Sequence, residues 1–220
     1  MRKYLFKTLL LIFVLNACNN AKQEMTEKSE NVATTETPKE TMTELEREHQ
    51  LYRAGYADSV NQGLIEEDNF KGSARKEVTG NVGGTEISIN YGSPGKRGRV
   101  LWNGLVSYDQ VWVTGSHWAT AVNFSKDVKI ADTTVPAGMY GFFTIPGREN
   151  WTLIINKVYD QHLAEEYKES EDIVRITVQP ETLDDVVQRL TYEIEETVDK
   201  QGNITMAWDQ VKVAMPFVTM

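Results

Sequence analysis

From Gly72 onward the chain changes character: β-branched and aromatic residues come in short runs, often alternating with polar ones, and nearly every run ends in Gly, Pro, Asn or Asp. A period of two puts alternate side chains on opposite faces of an extended strand, so such runs bury one face of a sheet and cannot present a helical stripe. Runs of this kind occur near 77–82, 86–91, 110–114, 120–124, 128–130, 139–145, 151–156, 173–179, 189–195, 203–208 and 211–217. Turn residues separate them where hairpins need to reverse, as at Gly83-Gly84, Pro136-Ala137-Gly138, Pro146-Gly147 and Gln201-Gly202-Asn203. The expectation is a mainly β protein, an antiparallel β-sandwich or jelly-roll-like domain over residues 70–220.

The text before that boundary has other tasks. Arg2, Lys3 and Lys7 precede an apolar run from Leu9 to Leu15, the layout of an export signal over residues 1–17. That run is too short to span a bilayer as a mature helix. The single cysteine follows at once, in Leu15-Asn16-Ala17-Cys18. This resembles the lipobox of bacterial lipoproteins, although Asn16 departs from the small or apolar residue usual there. The resemblance implies cleavage before Cys18 and its lipidation, with palmitate as an acyl group, so that the chain is held on a membrane in the cell envelope, facing the periplasm or the cell surface. Residues 18–41 are polar and rich in Thr, Glu and Lys, the composition of a disordered tether.

Residues 42–69 carry a helical signal. Thr43 with Glu46 forms a capping box, and Met42, Leu45, His49, Tyr52 and Tyr56 share one face. Docking of that stripe, His49 included, on the β domain is expected, with a second short helix over residues 58–68. Exposure of the stripe would instead mark a surface for a chaperone-like or assembly partner.

Charge narrows the partners. Removing residues 1–17 takes away Arg2, Lys3 and Lys7 and no acidic residue, so the net charge falls from −9 to −12. So acidic a surface repels phosphate backbones and excludes nucleic acid. Without a second cysteine there is no intrachain disulfide, and stability must come from the core.

Tyr91-Gly92-Ser93-Pro94, Lys96-Arg97-Gly98-Arg99, Trp102-Asn103-Gly104-Leu105-Val106, Val111-Trp112-Val113-Thr114-Gly115, Phe124-Ser125-Lys126-Asp127-Val128, Pro136-Ala137-Gly138 and Phe143-Thr144-Ile145-Pro146-Gly147 follow one another in order. Together they resemble the bacterial family called domain of unknown function 2911, over roughly residues 70–217. The resemblance implies an exported, mostly β protein, often lipid-anchored, and brings no reaction or ligand with it. Where many members of that family read Trp-Arg-Thr-Gly-Ala-Asn-Glu-Ala-Thr, this chain has Val113 and Trp118 in place of the Arg and the Glu.

No Gly-x-Ser-x-Gly elbow, P-loop, dinucleotide-binding glycine pattern or His-Glu-x-x-His is present, and Cys18 is taken by the anchor. Two chemistries stay open. Arg97 and Arg99 form a basic cluster beside Tyr91, and guanidinium forks with an aromatic face suit an acidic glycan or an envelope protein. A solvated hairpin whose arginines pair with local acids would look the same. Trp118, in a Gly-Ser loop next to His117, is the tryptophan expected at a contact surface, while Trp102, Trp112, Trp151 and Trp208 read as core. Alternatively, His117 and His162, with Asp160, Glu165 or Glu166, could hold Zn²⁺ or Cu²⁺ for a metal-binding protein or metal-dependent hydrolase. Simple up-and-down alternation of the strands between them places the two histidines at opposite ends of the domain.

Overall fold

The computed structural model describes residues 44–220. The signal segment, Cys18 and the tether lie outside the described residues. The first described element is helix α1 (Glu44–Asn61). Ten strands follow: β1 (Ala74–Val82), β2 (Thr85–Ser93), β3 (Thr120–Phe124), β4 (Val128–Ile130), β5 (Thr133–Val135), β6 (Gly138–Ile145), β7 (Trp151–Asn156), β8 (Asp172–Val178), β9 (Glu181–Val198) and β10 (Gln201–Thr219). They form a six-stranded sheet in the order β1-β2-β3-β6-β7-β8 and a four-stranded sheet in the order β5-β4-β10-β9, with every pairing antiparallel. The mainly β, sandwich-like architecture is therefore the one the alternating text expresses.

The sheets share one core. Ile87, Ile89, Phe124, Phe142, Leu153 and Ile155 point inward from the larger sheet, and Leu190, Tyr192, Met206, Trp208, Met215 and Phe217 meet them from the smaller. From Thr85 to Tyr91 in β2 the buried positions are Thr85, Ile87, Ile89 and Tyr91, the period of two expected of a strand with one face on a core, and the last two residues, Gly92 and Ser93, are buried as well. Removing each such side chain from water is worth about 1.5–3 kcal/mol.

Several local expectations are corrected. Residues 203–208 and 211–217 belong to the single strand β10, whose pairing with β9 slips on both sides of Asp209, a residue with left-handed φ of 56°. A β-bulge absorbs the break that reads as a turn in sequence. Residues 110–114 do not form a strand. Only Trp112 pairs, exchanging two backbone hydrogen bonds of 2.8 and 3.0 Å with Thr144, because Asp109 and Thr114 on either side take left-handed φ and leave the ladder. No second helix covers 58–68: α1 ends at Asn61 and the chain runs on in turns and bends to β1.

The helix docks through its last turns, by Ala57 and Val60, with Asp58 ion-paired to Lys76 of β1. Asn61 behaves as a piece of sheet edge: its side-chain amide donates to Arg189 O and accepts from Arg189 N, both at 2.8 Å. His49 and Tyr52 are exposed, Tyr52 at 77%, so the stripe extending back from Tyr56 does not dock as expected. The contacts that fix the helix fall later, at Tyr56, Ala57 and Val60, one turn further along.

Candidate functional site

The chain leaves β2 through Pro94, and Lys96 N donates to Gln188 O (2.6 Å) while Leu190 N donates to Pro94 O (3.0 Å), so this segment bridges from the larger sheet onto β9. A tight turn follows, with Arg97 and Gly98 both at left-handed φ. The turn forms one wall of a cleft of about 400 Å³. Its floor is indole, from Trp112 and Trp208, and its far side is the loop carrying Ser116 and His117 together with Leu163. Lys71 closes it from the strap between α1 and β1.

The floor is rigid. Trp112 and Trp208 stack at 6.0 Å and 22°, and Trp102 packs edge-on against both and against Trp151, at 4.9 to 6.1 Å. Four of the five tryptophans thus form one cluster, and two of them face the cleft.

The loop 113–119 belongs to no strand, and side chains help to hold it. Trp112 Nε1 donates to Gly115 O (3.1 Å), Thr120 Oγ1 and Tyr192 Oη donate to Thr114 O (3.0 and 2.8 Å), and Arg75 donates to the carbonyls of Trp118 and Ala119 (3.4 and 3.2 Å). Burial pushes the Arg75 guanidinium below its ordinary value. Gly92 of β2 lies directly under Ser116, and a Cβ there would run into the Ser116 hydroxyl and carbonyl.

Charge in the cleft is one-sided. Lys71, Arg97 and Arg99 line it with His117, and no Asp or Glu does, in a chain of net charge −9. Among the described residues neither Lys71 nor Arg97 makes a side-chain hydrogen bond or ion pair, so the basic cluster is not the self-paired hairpin it resembles in sequence. Arg99 folds back onto the carbonyls of Gly95 and Lys96. Its guanidinium is held below the ordinary arginine value by loss of solvent first, then by the positive charges of Arg97 and Arg189, with Asp68 pulling the other way.

Behind this wall sits a group that sequence reasoning missed. Arg189, in β9, is fully buried; it pairs with Asp68 (2.7 Å), donates to Phe70 O (2.6 Å), Gly72 O (3.2 Å) and Ser93 O (3.1 Å), and faces the rings of Phe70 and Tyr56 at 4.9 and 5.4 Å. It thereby fixes the strap that carries Lys71. Nothing in Val186-Val187-Gln188-Arg189-Leu190 signals this, since an arginine in a strand ordinarily faces water.

Of the residues singled out from sequence, Arg97, Arg99 and His117 come together around the cleft. Tyr91 does not. It is 1% exposed, packs against Tyr192 at 4.8 Å and belongs to the core, because position 91 falls on the inward phase of β2. Trp118 is 50% exposed on the outer side of the His117 loop, edge-on to His162 at 5.5 Å.

The expectation that the two histidines lie at opposite ends is also corrected. Their rings are 6.3 Å apart and near-parallel, at 26°. The reason is strand stagger: Thr120, where β3 begins, pairs with Phe142, and Phe142 pairs with Ile155, close to where β7 ends. The loops flanking β3 and β7 therefore start level, two strand spacings or roughly 10 Å apart. They close the gap themselves, with Ala119 N donating to Gln161 O (3.0 Å) and Leu163 N to His117 O (2.7 Å). Asp160, Glu165 and Glu166 do not join the pair: among the described residues no group of three or more His, Cys, Asp or Glu is placed to hold a metal ion.

The family model described as "Protein of unknown function (DUF2911)" matches residues 73–217, about two thirds of the chain and everything from the foot of β1 to nearly the end of β10. The chain belongs to the DUF2911 family. The DUF2911 segment holds the indole floor, the Arg97 turn, the His117 loop and Arg189, whereas Asp68 and Lys71 lie just ahead of it. Val113, one of the two departures from the commoner family text, lines the cleft, and Trp118, the other, follows His117. No curated protein and no solved structure matches the chain.

Proposed function

We propose that this DUF2911 member is a cell-envelope lipoprotein, anchored through Cys18, whose β domain is a binding module rather than an enzyme and holds an anionic ligand in the Arg97–His117 cleft. One observation carries the reading: a preformed cleft of about 400 Å³ presents Lys71, Arg97, Arg99 and His117, without a single carboxylate in its wall, in an acidic protein. Lys71, Arg97 and Arg99 are collected beside an apolar floor with no acidic group between them, so an anion entering the cleft meets several cationic donors at once. An acidic glycan or an acidic segment of an envelope protein would supply it, and the basic-apolar-Cys leader supports the envelope location.

Titration calorimetry with polygalacturonate and inorganic sulfate tests the site. Binding is expected to weaken about 10- to 100-fold in the Arg97→Ala/Arg99→Ala variant, since a hydrogen bond to a charged group is worth about 1.5–3 kcal/mol. No binding of either anion by the parent protein would refute it.

A second reading is favoured by the 6.3 Å approach of His117 and His162. Two imidazoles at this separation reach one Zn²⁺ or Cu²⁺ after side-chain rotation, given metal–nitrogen bonds of about 2 Å, with water completing the shell. Zn²⁺ titration of the parent against His117→Ala and His162→Ala decides it, equal affinity in all three being the refuting result.

A further inference from the structure

We infer that the cleft takes one carboxylate-bearing sugar ring, a uronic acid residue or an acid of similar shape, in preference to a bare anion or a peptide. This rests on the anion-binding reading of the cleft and adds shape to charge.

Size argues first. A cleft of about 400 Å³ lies near the lower end of the range for small-molecule sites, about 300–1,000 Å³, and has room for a sugar unit but not for a helix or several residues of strand. Protein partners ordinarily cover about 800 Å² on each side, which a cleft of this size does not offer by itself.

The surfaces argue next. Trp112 is the partly exposed indole of the cleft, and the buried Trp208 stacks beneath it with Trp102 edge-on to both. The exposed part of the Trp112 ring suits the C–H face of a pyranose. Leu105 and Leu163, 48% and 39% exposed, are the apolar lips above it. Sulfate or phosphate would use none of this apolar surface. Conversely, a neutral sugar would leave Lys71 and Arg97 unpaired, and these are the two cations of the wall without a protein partner among the described residues.

Polar capacity argues third. Ser116 Oγ, turned toward Gly92, and Trp208 Nε1 are sealed from solvent behind the cleft wall with no hydrogen-bond partner, so the polar groups the cleft offers are the cations of its rim. The wall is also held under strain: Arg97, His117 and Leu163 all take left-handed φ, at 46°, 64° and 56°. Non-glycine residues in that region cost about 1–3 kcal/mol each and cluster at ligand sites, where the cost maintains a preformed shape.

The test uses D-glucuronate, D-galacturonate, D-glucose, benzoate and sulfate as probes, with tryptophan emission and calorimetry as independent readouts on the parent protein, Arg97→Met and Leu105→Ser. The uronates are expected to bind at least tenfold tighter than glucose or sulfate and to shift the emission of the indole floor. Arg97→Met should bring glucuronate down to the level of glucose, and Leu105→Ser, at an exposed apolar lip, should weaken glucuronate without changing sulfate. Sulfate binding as tightly as the uronates, with loss in Arg97→Met, would overturn the sugar assignment and leave the anion site standing. Benzoate matching the uronates would assign the floor to flat aryl acids instead, and glucose matching them would remove the role of charge. If no probe binds, both this inference and the reading beneath it fall.

Discussion

Replacing Arg189 by Met tests the arrangement that holds the cleft in place. Methionine keeps most of the arginine stem and removes the guanidinium. That group is fully buried and makes two bonds below 2.8 Å, to Asp68 and Phe70 O, and two longer ones, to Gly72 O and Ser93 O. Without it the Asp68 side chain, 5% exposed, keeps only the backbone N–H of Phe70 at 3.3 Å as a partner. Removing one member of a buried ion pair costs about 3–5 kcal/mol, because the remaining charge stays desolvated and unpaired. A domain of this size loses about 2–4 °C of midpoint per kcal/mol, so Tm should fall by roughly 6–20 °C. Urea unfolding followed by tryptophan emission reports the loss directly, since Trp151 and Trp208 are buried. The double variant Asp68→Leu/Arg189→Met should regain about 2 kcal/mol or more of that loss, because both charges leave together. A loss under about 1 kcal/mol in Arg189→Met, or no recovery in the double variant, would mean that the pair is not a buried hub.

Cys18→Ser should move the protein from membranes to the soluble envelope fraction, read by fractionation in high salt; retention on the membrane would refute the anchor. Gly92→Ala, which drives a Cβ into Ser116, should cost about 1–3 kcal/mol by overpacking and abolish anion binding by displacing the His117 loop, whereas unchanged affinity would separate that loop from the site. Above pH 10 the protein should lose stability. Burial, then the hydrogen bond to Asp172, raises the Tyr167 hydroxyl far above its ordinary value, and burial does the same for Tyr192. The folded state therefore keeps protons that the unfolded chain releases near pH 10, so this contribution is complete below pH 10 and shrinks above it. Urea midpoints measured from pH 8.5 to 11 should fall less steeply in Tyr167→Phe, and a pH-independent midpoint in the parent would contradict the burial of these hydroxyls.

What the sequence determined by itself is what short-range chemistry encodes. A period of two with β-branched residues marks strands whichever sheet they join, so β1, β2, β3, β6, β7 and β8 stand close to where their runs predict, and the order of several strings was enough to place the chain in its family. The basic turn at Arg97 and Arg99 and the loop at His117 were legible as chemistry for the same reason, since residue type and turn residues are local properties. Tertiary structure decided everything that depends on register. The offset that puts Thr120 and Ile155 level across β6 brings His117 to His162, and no local pattern encodes a stagger between strands 30 residues apart. The inward phase of β2 took Tyr91 out of the site and into the core. Arg189 became the center of a buried network only because Asp68, Phe70, Gly72 and Ser93, separated from it by about a hundred residues of chain, converge there to satisfy its charge. Burial and pairing are summed over the whole folded chain, and that sum, rather than any short run of residues, sets which cations reach the cleft and which are sealed behind it.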